Sequence, residues 1–344
     1  MRRIVIRRPG GHEALELVEE PDPEISSGQV LVRVKAAGVN FADTIVRLGY
    51  YEAAKGKYPI TPGFEFSGVV ERPGPGTRRF REGDRVFGIA RFGAYASCLA
   101  IPEEQLWPCP EGWDFSDCAA FPAVFLTAYY GLFKAARVEA GETLLVFSAA
   151  GGAGGALLQL ARIASCRAIA VVGARHKAQL CLELGASAVI ARSDQDLWHE
   201  ARRLAPEGYD AIFDACGLST LRPGFGQLAP GGRLVVYGFA EILPKGREKP
   251  GLLRLAWNYL RVPRFSPMEM TMRNRGVMGF NVVFLFHRLD LAQRAMREML
   301  GWIQEGKIRK PPLTLFSFEQ AAEAHKAIES GNTVGKLVLS LEED

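Results

Sequence analysis

Hydrophobic and polar residues follow two patterns along the chain, and the change between them comes near Phe121. Before it, segments such as VLVRVKAAGV alternate apolar and polar positions with a period of two, as half-buried strands do. Clusters of Pro, Gly and Asp separate these segments, and FSGVVERPGPGTRRFREGDRVFG predicts a strand, a turn and a second strand from Asp84. We therefore predict a compact all-β module over residues 1–110.

From Phe121 onward, strands and helices alternate. FPAVFLTAYYGLFKAA has apolar residues at helical spacing, and helical segments follow the strands TLLVFSA and AIAVVGA. SAVIA, YDAIFDACG and GRLVVYGF are three further short apolar runs. Nearly continuous apolar strands that alternate with helices indicate a parallel sheet covered on both faces. The sequence therefore predicts a doubly wound α/β domain.

The last part of the chain is predicted to return to the β module. After Gly279 come a long helix, DLAQRAMREMLGWIQEGKI, a strand, PPLTLFSF, a helix, EQAAEAHKAIES, and a closing strand, VGKLVLSL. A chain of 344 residues is long for one domain, and two domains are expected.

Residues 240–275 interrupt the predicted sheet with basic, aromatic and Met residues, and LLRLAWNYLRV within them predicts a short basic amphipathic helix. One interpretation is a lid over the active site, or a patch that makes weak contact with an acidic membrane surface. The favoured one is a solvated excursion near a dimer contact, in which Trp257, Tyr259 and Phe265 pack on the neighbouring domain.

A glycine cluster follows the first strand of the α/β domain and opens a helix, the context that dinucleotide-binding folds require. Gly151 would let the backbone approach a pyrophosphate, and Gly154 would allow the helix to pack closely on the strand. The helix N-terminus would offer N–H groups to the phosphates. Ala149 replaces the first glycine of the usual pattern. The predicted contacts of this loop are Ala150, Gly151, Gly152, Ala153 and Gly154.

The end of the second strand of this domain bears on which dinucleotide binds. NAD enzymes usually have an acidic residue there for the ribose 2′-OH, whereas this chain has Arg175, His176 and Lys177. Two cations suit the 2′-phosphate of NADP, so we predict NADPH rather than NADH. The alternative, a solvated helix start that happens to be basic, stays open.

Composition excludes some function classes. The net charge of +4 does not indicate nucleic-acid binding, although it suits an anionic small ligand. No apolar run approaches the about 18 charge-free residues of a membrane span, and MRRIVIRRPGG lacks the apolar stretch of a signal peptide. The six cysteines form no CxxC pair, as in intracellular proteins with reduced thiols. We expect a cytoplasmic protein that acts on a small molecule.

Several spaced motifs occur in one order across almost the full length. They are AAGVNFAD (36–43), TPGFEFSGVV (61–70), FREGDRV (80–86), FLTAYYGL (125–132), SAAGGAGG (148–155) and VGKLVLSL (334–341). Together they resemble the medium-chain dehydrogenase/reductase superfamily. The resemblance implies an α/β protein with a GroES-like β-barrel catalytic domain over 1–122 and 281–344, and a Rossmann doubly wound NADP-binding domain over 123–280.

The zinc ligands of that superfamily are missing here. Zinc members have a Cys where this chain has Asn40 and a His where it has Phe64, and neither replacement is a useful zinc ligand. Glu65 is retained, but one carboxylate does not make a zinc site, and Cys98 stands alone where the relatives have a four-cysteine lobe. The chain is thus similar to the zinc-free quinone oxidoreductase branch, and we predict no metal.

Within that branch, NRGVMGFNVV (274–283) and GNTVGK (331–336) are similar to the vesicle-amine-transport-like subgroup. The branch implies a homodimer formed partly through GVMGF. The residues implied at the nicotinamide end are Asn40, Asp43, Tyr51 and Thr127. Those implied around the adenosine phosphate are Gly173, Arg175, Lys177 and Arg192. Those implied to complete the cofactor groove are Gly238, Phe239, Phe280, Asn281 and Asn332.

Chemistry without a metal favours a quinone acceptor over an alcohol. Alcohol oxidation would lack its Lewis acid, whereas hydride addition to a quinone yields a delocalised phenolate and asks mainly for proximity, orientation and a hydrogen-bond donor. Asn40 and Tyr51 are the predicted donors; Asp43 either orients them or only caps a helix. NADPH-dependent reduction of a quinone or conjugated carbonyl is favoured. Reduction of an enal or enoyl C=C bond, and a slow or non-catalytic NADPH-binding interaction protein, stay open.

Overall fold

The computed structural model describes residues 1–241, 257, 258 and 260–341, and these divide into two compact units. The first unit contains residues 1–124 and 283–341. The second contains residues 125–241, 257, 258 and 260–282. Among the described residues, the first unit is therefore built from both the early and the late part of the chain.

The strands, in chain order, begin and end as follows. They are β1 (Arg2–Val5), β2 (Glu16–Glu19), β3 (Gln29–Val39), β4 (Glu65–Pro73), β5 (Arg85–Ile89), β6 (Cys98–Pro102), β7 (Leu106–Pro108), β8 (Thr143–Val146), β9 (Arg167–Val172), β10 (Ala188–Ala191), β11 (Tyr209–Asp214), β12 (Leu228–Val236), β13 (Gly276–Gly279), β14 (Leu313–Ser317) and β15 (Lys336–Ser340).

The α-helices lie between these strands. They are α1 (Phe41–Leu48), α2 (Phe115–Ala119), α3 (Pro122–Tyr129), α4 (Gly152–Ile163), α5 (Ala178–Glu183), α6 (Leu197–Leu204), α7 (Leu218–Gly226), α8 (Pro267–Arg273), α9 (Leu289–Gln304) and α10 (Ala321–Glu329). No helix of the described residues is long and apolar enough to span a bilayer.

The first unit is organised by the long strand β3. Among the described residues its sheet has seven strands in the order β14-β15-β3-β4-β5-β7, with β6 also paired to β3, and β1 and β2 form a separate pair. β3 is antiparallel to β4, β6 and β15. Its apolar residues are buried with Phe66 and Leu337 in one core. The closing strand thus returns to the first module, as predicted.

The second unit is a parallel six-stranded sheet in the described chain, in the order β10-β9-β8-β11-β12-β13. This order confirms the predicted doubly wound α/β domain, because the chain starts at β8 in the middle and winds outward on both sides. β13 lies at one edge of the sheet, and the homodimer expected through it stays a prediction.

Two segments differ in detail from their predicted helices. The helix predicted from Phe121 is an α-helix only to Tyr129, and it continues as a π-helix over Tyr130–Ala136. There the ring of Tyr130 packs on Phe280 at a centroid distance of 4.9 Å. The second segment begins with a 3-10 turn over Arg175–Lys177, before α5. Neither difference changes the order of elements.

The insertion at 240–275 is described only in part. Most of LLRLAWNYLRV, and Tyr259 with it, lies outside the described residues. Trp257 is 62% exposed in the single chain, and its packing near a dimer contact stays a prediction. Phe265 packs on Phe225 of the same unit, at a centroid distance of 5.2 Å. α8 carries Met268, which is exposed. The lid and membrane-surface interpretations stay predictions.

Candidate functional site

Asn40 lies between β3 and α1 and has its carboxamide held by two charged side chains. Its Nδ2 donates to Glu65 Oε1 at 2.8 Å, and Lys336 Nζ donates to its Oδ1 at 2.6 Å. A carboxylate accepts hydrogen bonds and an ammonium group donates them. The NH2 group of the amide therefore faces Glu65, and its oxygen faces Lys336. Within the described chain, the second Nδ2 hydrogen has no acceptor. Asn40 can therefore donate one hydrogen bond to a ligand.

Lys336 and Glu65 form a buried ion pair behind that amide. Nζ lies 2.6 Å from Glu65 Oε1 and donates to the Val39 carbonyl at 2.7 Å, so all three ammonium hydrogens have acceptors. The Lys336 side chain is 3% exposed and that of Glu65 is fully buried. Glu65 Oε2 accepts from the Ala123 backbone N–H at 2.8 Å. Such a pair costs little only because every polar atom is satisfied.

A glycine in β3 makes room for the Glu65 carboxylate. A Cβ on Gly38 would lie 2.5 Å from Glu65 Oε1 and 2.5 Å from the Ala119 carbonyl oxygen. Neither neighbour can move freely, because one is an ion-paired carboxylate and the other is backbone. Gly38 is therefore part of the site's geometry, although the sequence showed it only as one residue of the motif AAGVNFAD.

Asp43 holds the backbone on both sides of the site. Its Oδ2 accepts from the Asn40 N–H at 2.8 Å and its Oδ1 accepts from the Gly63 N–H at 2.9 Å. The Tyr95 hydroxyl lies 3.2 Å from Oδ2. Burial raises the pKa of Asp43 to about 7, although these hydrogen bonds act in the other direction. The bond from the Asn40 N–H to Asp43 is also one half of a capping box at the start of α1. The capping interpretation accounts for this contact, and the orienting role of Asp43 stays a prediction.

Because the pKa of Asp43 is raised, we expect the free energy of unfolding to depend on pH. Asp43 titrates near 3.8 when exposed and near 7 when folded, so between these pH values the folded chain binds more protons. The stabilisation that Asp43 contributes is full below about pH 4. It decreases as the pH rises to 7 and changes little above that pH. Relative to Asp43→Asn, the wild-type chain should lose about a few kcal/mol between pH 5 and 8. Urea midpoints at both pH values measure this difference.

The matched control is Asp290→Asn, on the exposed start of α9. A hydrogen bond from Arg288 lowers the pKa of Asp290, so its small contribution has the opposite sign. Superimposable pH profiles for the wild type and Asp43→Asn would contradict the role given to Asp43.

Tyr51 belongs to a cluster of three aromatic rings in the first unit. Its ring centroid lies 5.7 Å from that of Phe64 and 6.4 Å from that of Phe92, and Phe64 lies 5.5 Å from Phe92. Tyr51 and Phe64 are each 8% exposed. Phe64 thus serves apolar packing at the position where zinc relatives have a ligand. In the part of the chain that the structure describes, no three His, Cys, Asp or Glu side chains could together hold a metal ion.

The glycine loop lies between β8 and α4, with Gly151 as the helix N-cap. A Cβ on Gly154 would come within 2.3 Å of the Ser148 carbonyl oxygen and 2.6 Å of Ala149 Cα. On Gly151 it would meet only the Ser148 oxygen, at 3.3 Å, and on Gly173 nothing within 4 Å. Gly154 is therefore required by packing, a Cβ on Gly151 would make one tight contact with backbone, and Gly173 leaves open space. This surface fits the phosphates of a dinucleotide.

The ends of β9 and β10 bring two exposed cations to one edge of the sheet. The Arg192 N–H donates to the Val172 carbonyl at 3.0 Å, which places it beside the segment leading to Arg175. The Arg175 side chain is 85% exposed, with Asp194 Oδ2 at 3.8 Å from its Nη1. Lys177 is only 6% exposed, and burial lowers its pKa. A carboxylate thus reaches this edge from β10.

Tyr237 follows β12 and carries a buried hydroxyl with no hydrogen-bond partner among the described residues. Its ring stacks on Phe280 at 6.1 Å between centroids. An unpartnered buried hydroxyl at the carboxyl edge of a parallel sheet is consistent with a ligand there. The nearby groove residues Gly238, Phe239 and Asn281 are half-buried or exposed.

The remaining predicted residues are placed by unit. Thr127 is half-buried on α3 in the second unit, and Ala150 is 4% exposed. Gly152 and Ala153, in the first turn of α4, are half-buried. Asn332 is exposed between α10 and β15 in the first unit, where its N–H donates to Ser330 Oγ at 3.1 Å. Asn40 and Asp43 are hydrogen-bonded to each other, as described above.

Comparisons with known proteins identify the family of both parts of the chain. Residues 26–111 match the alcohol dehydrogenase GroES-like domain family, and residues 184–339 match the zinc-binding dehydrogenase family. The synaptic vesicle membrane protein VAT-1 homolog of Rattus norvegicus is 32% identical over 98% of this chain and 84% of its own. The quinone oxidoreductase of the same species is 30% identical over 99% of this chain and 98% of its own.

A solved structure shows the same fold. The quinone oxidoreductase of Thermus thermophilus, determined alone and with NADPH, is 32% identical, covers 99% of this chain and 100% of its own, and has a TM-score of 0.82. Together these similarities confirm the GroES-like and Rossmann fold class. The chain belongs to the medium-chain dehydrogenase/reductase superfamily, in its zinc-free quinone oxidoreductase branch and near the VAT-1 homologues.

Proposed function

We propose that this chain is a zinc-independent, NADPH-dependent quinone oxidoreductase that transfers hydride directly to a quinone or a similar conjugated carbonyl. The observation that carries the proposal is the Asn40 carboxamide, which has one Nδ2 hydrogen to offer and is held by buried Lys336 and Glu65. The NADPH complex of the Thermus thermophilus relative supports the choice of cofactor.

The proposed hydride transfer depends more on a hydrogen-bond donor at the acceptor oxygen than on a metal ion. NADPH, when bound, would supply the hydride and become NADP⁺. The quinone would gain one proton and two electrons as that hydride, and the resulting hydroquinone anion would take its second proton from solvent. The Asn40 N–H stabilises the negative charge that develops on the acceptor oxygen. Tyr51 and the rings around it form an apolar wall that suits a planar acceptor.

The first test is NADPH oxidation, followed by absorbance with metal chelator present, against a panel of ortho- and para-quinones and, in parallel, simple enals. Quinone turnover is expected to survive the chelator. Asn40→Ala should lower kcat/KM for quinones about a hundredfold, the usual loss of one oxyanion donor. Tyr51→Phe should have a smaller effect, and Tyr50→Phe, on an exposed neighbour, should have none. Turnover restricted to enals would replace the proposal with C=C reduction.

We also expect the edge at β9 and β10 to set the cofactor preference. Arg175→Ala should weaken NADPH binding about tenfold, the value of one charge-assisted contact, and leave NADH binding unchanged. Asp194→Asn should strengthen NADPH binding, since its carboxylate lies 3.8 Å from the same guanidinium. Titrations of protein fluorescence with both cofactors measure this, and Arg202→Ala on α6 is the control. Equal changes for NADPH and NADH would contradict the assignment.

A further inference from the structure

We propose that Lys336 is a positioning residue for the reduction: its ammonium group holds the Asn40 carboxamide in the one sense that presents an N–H, not a carbonyl oxygen, to the acceptor. The inference rests on the proposed function and adds to it a residue outside the donors already considered. Lys336 is the first residue of the closing strand, almost three hundred positions away from Asn40 in sequence.

The contacts exclude the flipped amide. Lys336 Nζ lies 2.6 Å from Asn40 Oδ1, and Glu65 Oε1 lies 2.8 Å from Asn40 Nδ2. Turning the amide by half a rotation would place its NH2 against the ammonium and its oxygen against the carboxylate. Both contacts would be repulsive, and the two ionic side chains are at least 97% buried, where water screens little.

Lys336 itself has no freedom to move away. Its third hydrogen is donated to the Val39 carbonyl, the backbone group directly before Asn40. The ammonium thus contacts both the backbone that leads into Asn40 and the side chain it orients. Removing only this charge would leave Asn40 Oδ1 without its ammonium donor, while the Glu65 carboxylate would still accept from Nδ2. The amide would then be fixed at one end only, and its free N–H would be directed less accurately at the acceptor. Only removal of both Lys336 and Glu65 would allow the flipped amide, which presents an oxygen where the acceptor develops negative charge.

The test compares Lys336→Met with the wild type over a series of quinones whose hydroquinone oxygens differ in basicity. Loss of an oriented donor should lower kcat about ten- to hundredfold, no more than deletion of the donor, and the loss should increase with that basicity. NADPH affinity should be unchanged. Lys310→Met is the matched control, because Lys310 pairs with Asp117 in the same unit but is 46% exposed. An equal loss for every quinone, or no loss, would overturn the proposal.

A second variant separates orientation from charge balance. Lys336→Met alone leaves the Glu65 carboxylate buried and unpaired, and that penalty by itself favours unfolding of the variant. Glu65→Gln/Lys336→Met carries no buried charge and removes both groups that fix the amide. In this double variant the amide can take either orientation, so the loss of kcat should increase with hydroquinone basicity at least as steeply as in Lys336→Met. Recovery of the wild-type dependence in this double variant would show that Lys336 only balances a charge, and would overturn the proposal.

A measurement without turnover distinguishes failure of this inference from failure of the proposed function. Selective ¹⁵N labelling of the five asparagines gives few side-chain amide signals, and Asn40→Ala assigns the pair from Asn40. In the wild type that pair should be single and well separated; in Lys336→Met it should shift or split. An unchanged pair would overturn the inference even in an active enzyme. A wild type without quinone turnover but with the expected signals would refute only the function.

Discussion

Replacing Glu65 with alanine is expected to destabilise the first unit by about 3–5 kcal/mol, the cost of leaving one member of a buried ion pair unpaired. The Lys336 ammonium would keep its hydrogen bonds to Val39 and Asn40 but lose its only anion in the described chain. The Ala123 N–H would also lose its acceptor. The urea midpoint of unfolding measures the effect.

The controls for Glu65→Ala use the same unit. Glu319→Ala removes an ion pair with Arg2 whose side chains are 36–50% exposed, and it should cost no more than about 1 kcal/mol. Glu65→Leu/Lys336→Met, which replaces both charges with apolar side chains, should recover most of the loss. Similar midpoints for Glu65→Ala and Glu319→Ala would show that the buried pair does not carry this energy.

Gly154→Ala is expected to weaken NADPH binding at least about tenfold, or ~1.4 kcal/mol, and to destabilise the second unit by about 1–3 kcal/mol through overpacking. The added Cβ would come within 2.3 Å of the Ser148 carbonyl oxygen, and backbone at this position cannot yield without displacing α4. The helix N-terminus would then no longer meet the phosphates. Calorimetric titration with NADPH and thermal midpoints measure the two effects.

Two neighbouring glycines separate packing from binding. In Gly155→Ala the nearest atom is Leu184 Cδ1 at 3.0 Å, the end of a flexible side chain, so both stability and binding should change little. In Gly151→Ala the nearest atom is the Ser148 carbonyl oxygen at 3.3 Å, so stability should fall less than in Gly154→Ala while NADPH binding weakens. Loss of stability without loss of NADPH affinity in Gly154→Ala would remove the loop from the cofactor site.

Local patterns were sufficient for the order of elements. The period of two in VLVRVKAAGV predicted β3, and apolar runs that alternate with helices predicted the parallel sheet. The glycine cluster also predicted the start of α4, because its spacing expresses a need of the local backbone. The structure differs in the π-helix over Tyr130–Ala136, where the Tyr130 ring packs on Phe280, a contact that the local pattern does not contain.

The candidate site was only half visible in the sequence. Asn40 and Asp43 lie in one short motif, AAGVNFAD, and that motif was sufficient to suggest a role for each. Lys336 and Asp194 were missed. Lys336 is the first residue of β15, and Asp194 follows β10. Each is an ordinary charged residue in the sequence, and only its ion-pair partner in the structure distinguishes it. A lysine at the start of the apolar strand VGKLVLSL was the one signal that could have singled out Lys336.

The sequence by itself determined the two folds and the glycine loop between β8 and α4, since each depends on residue type, periodicity or close spacing. Only the tertiary structure decided what Asn40 can do. Its donor hydrogen is defined by Glu65 on β4 and by Lys336 on β15, two strands on opposite sides of β3. A hydrogen bond requires its donor and acceptor to lie about 3 Å apart. Only the register of the sheet brings residues so far apart in sequence to that distance.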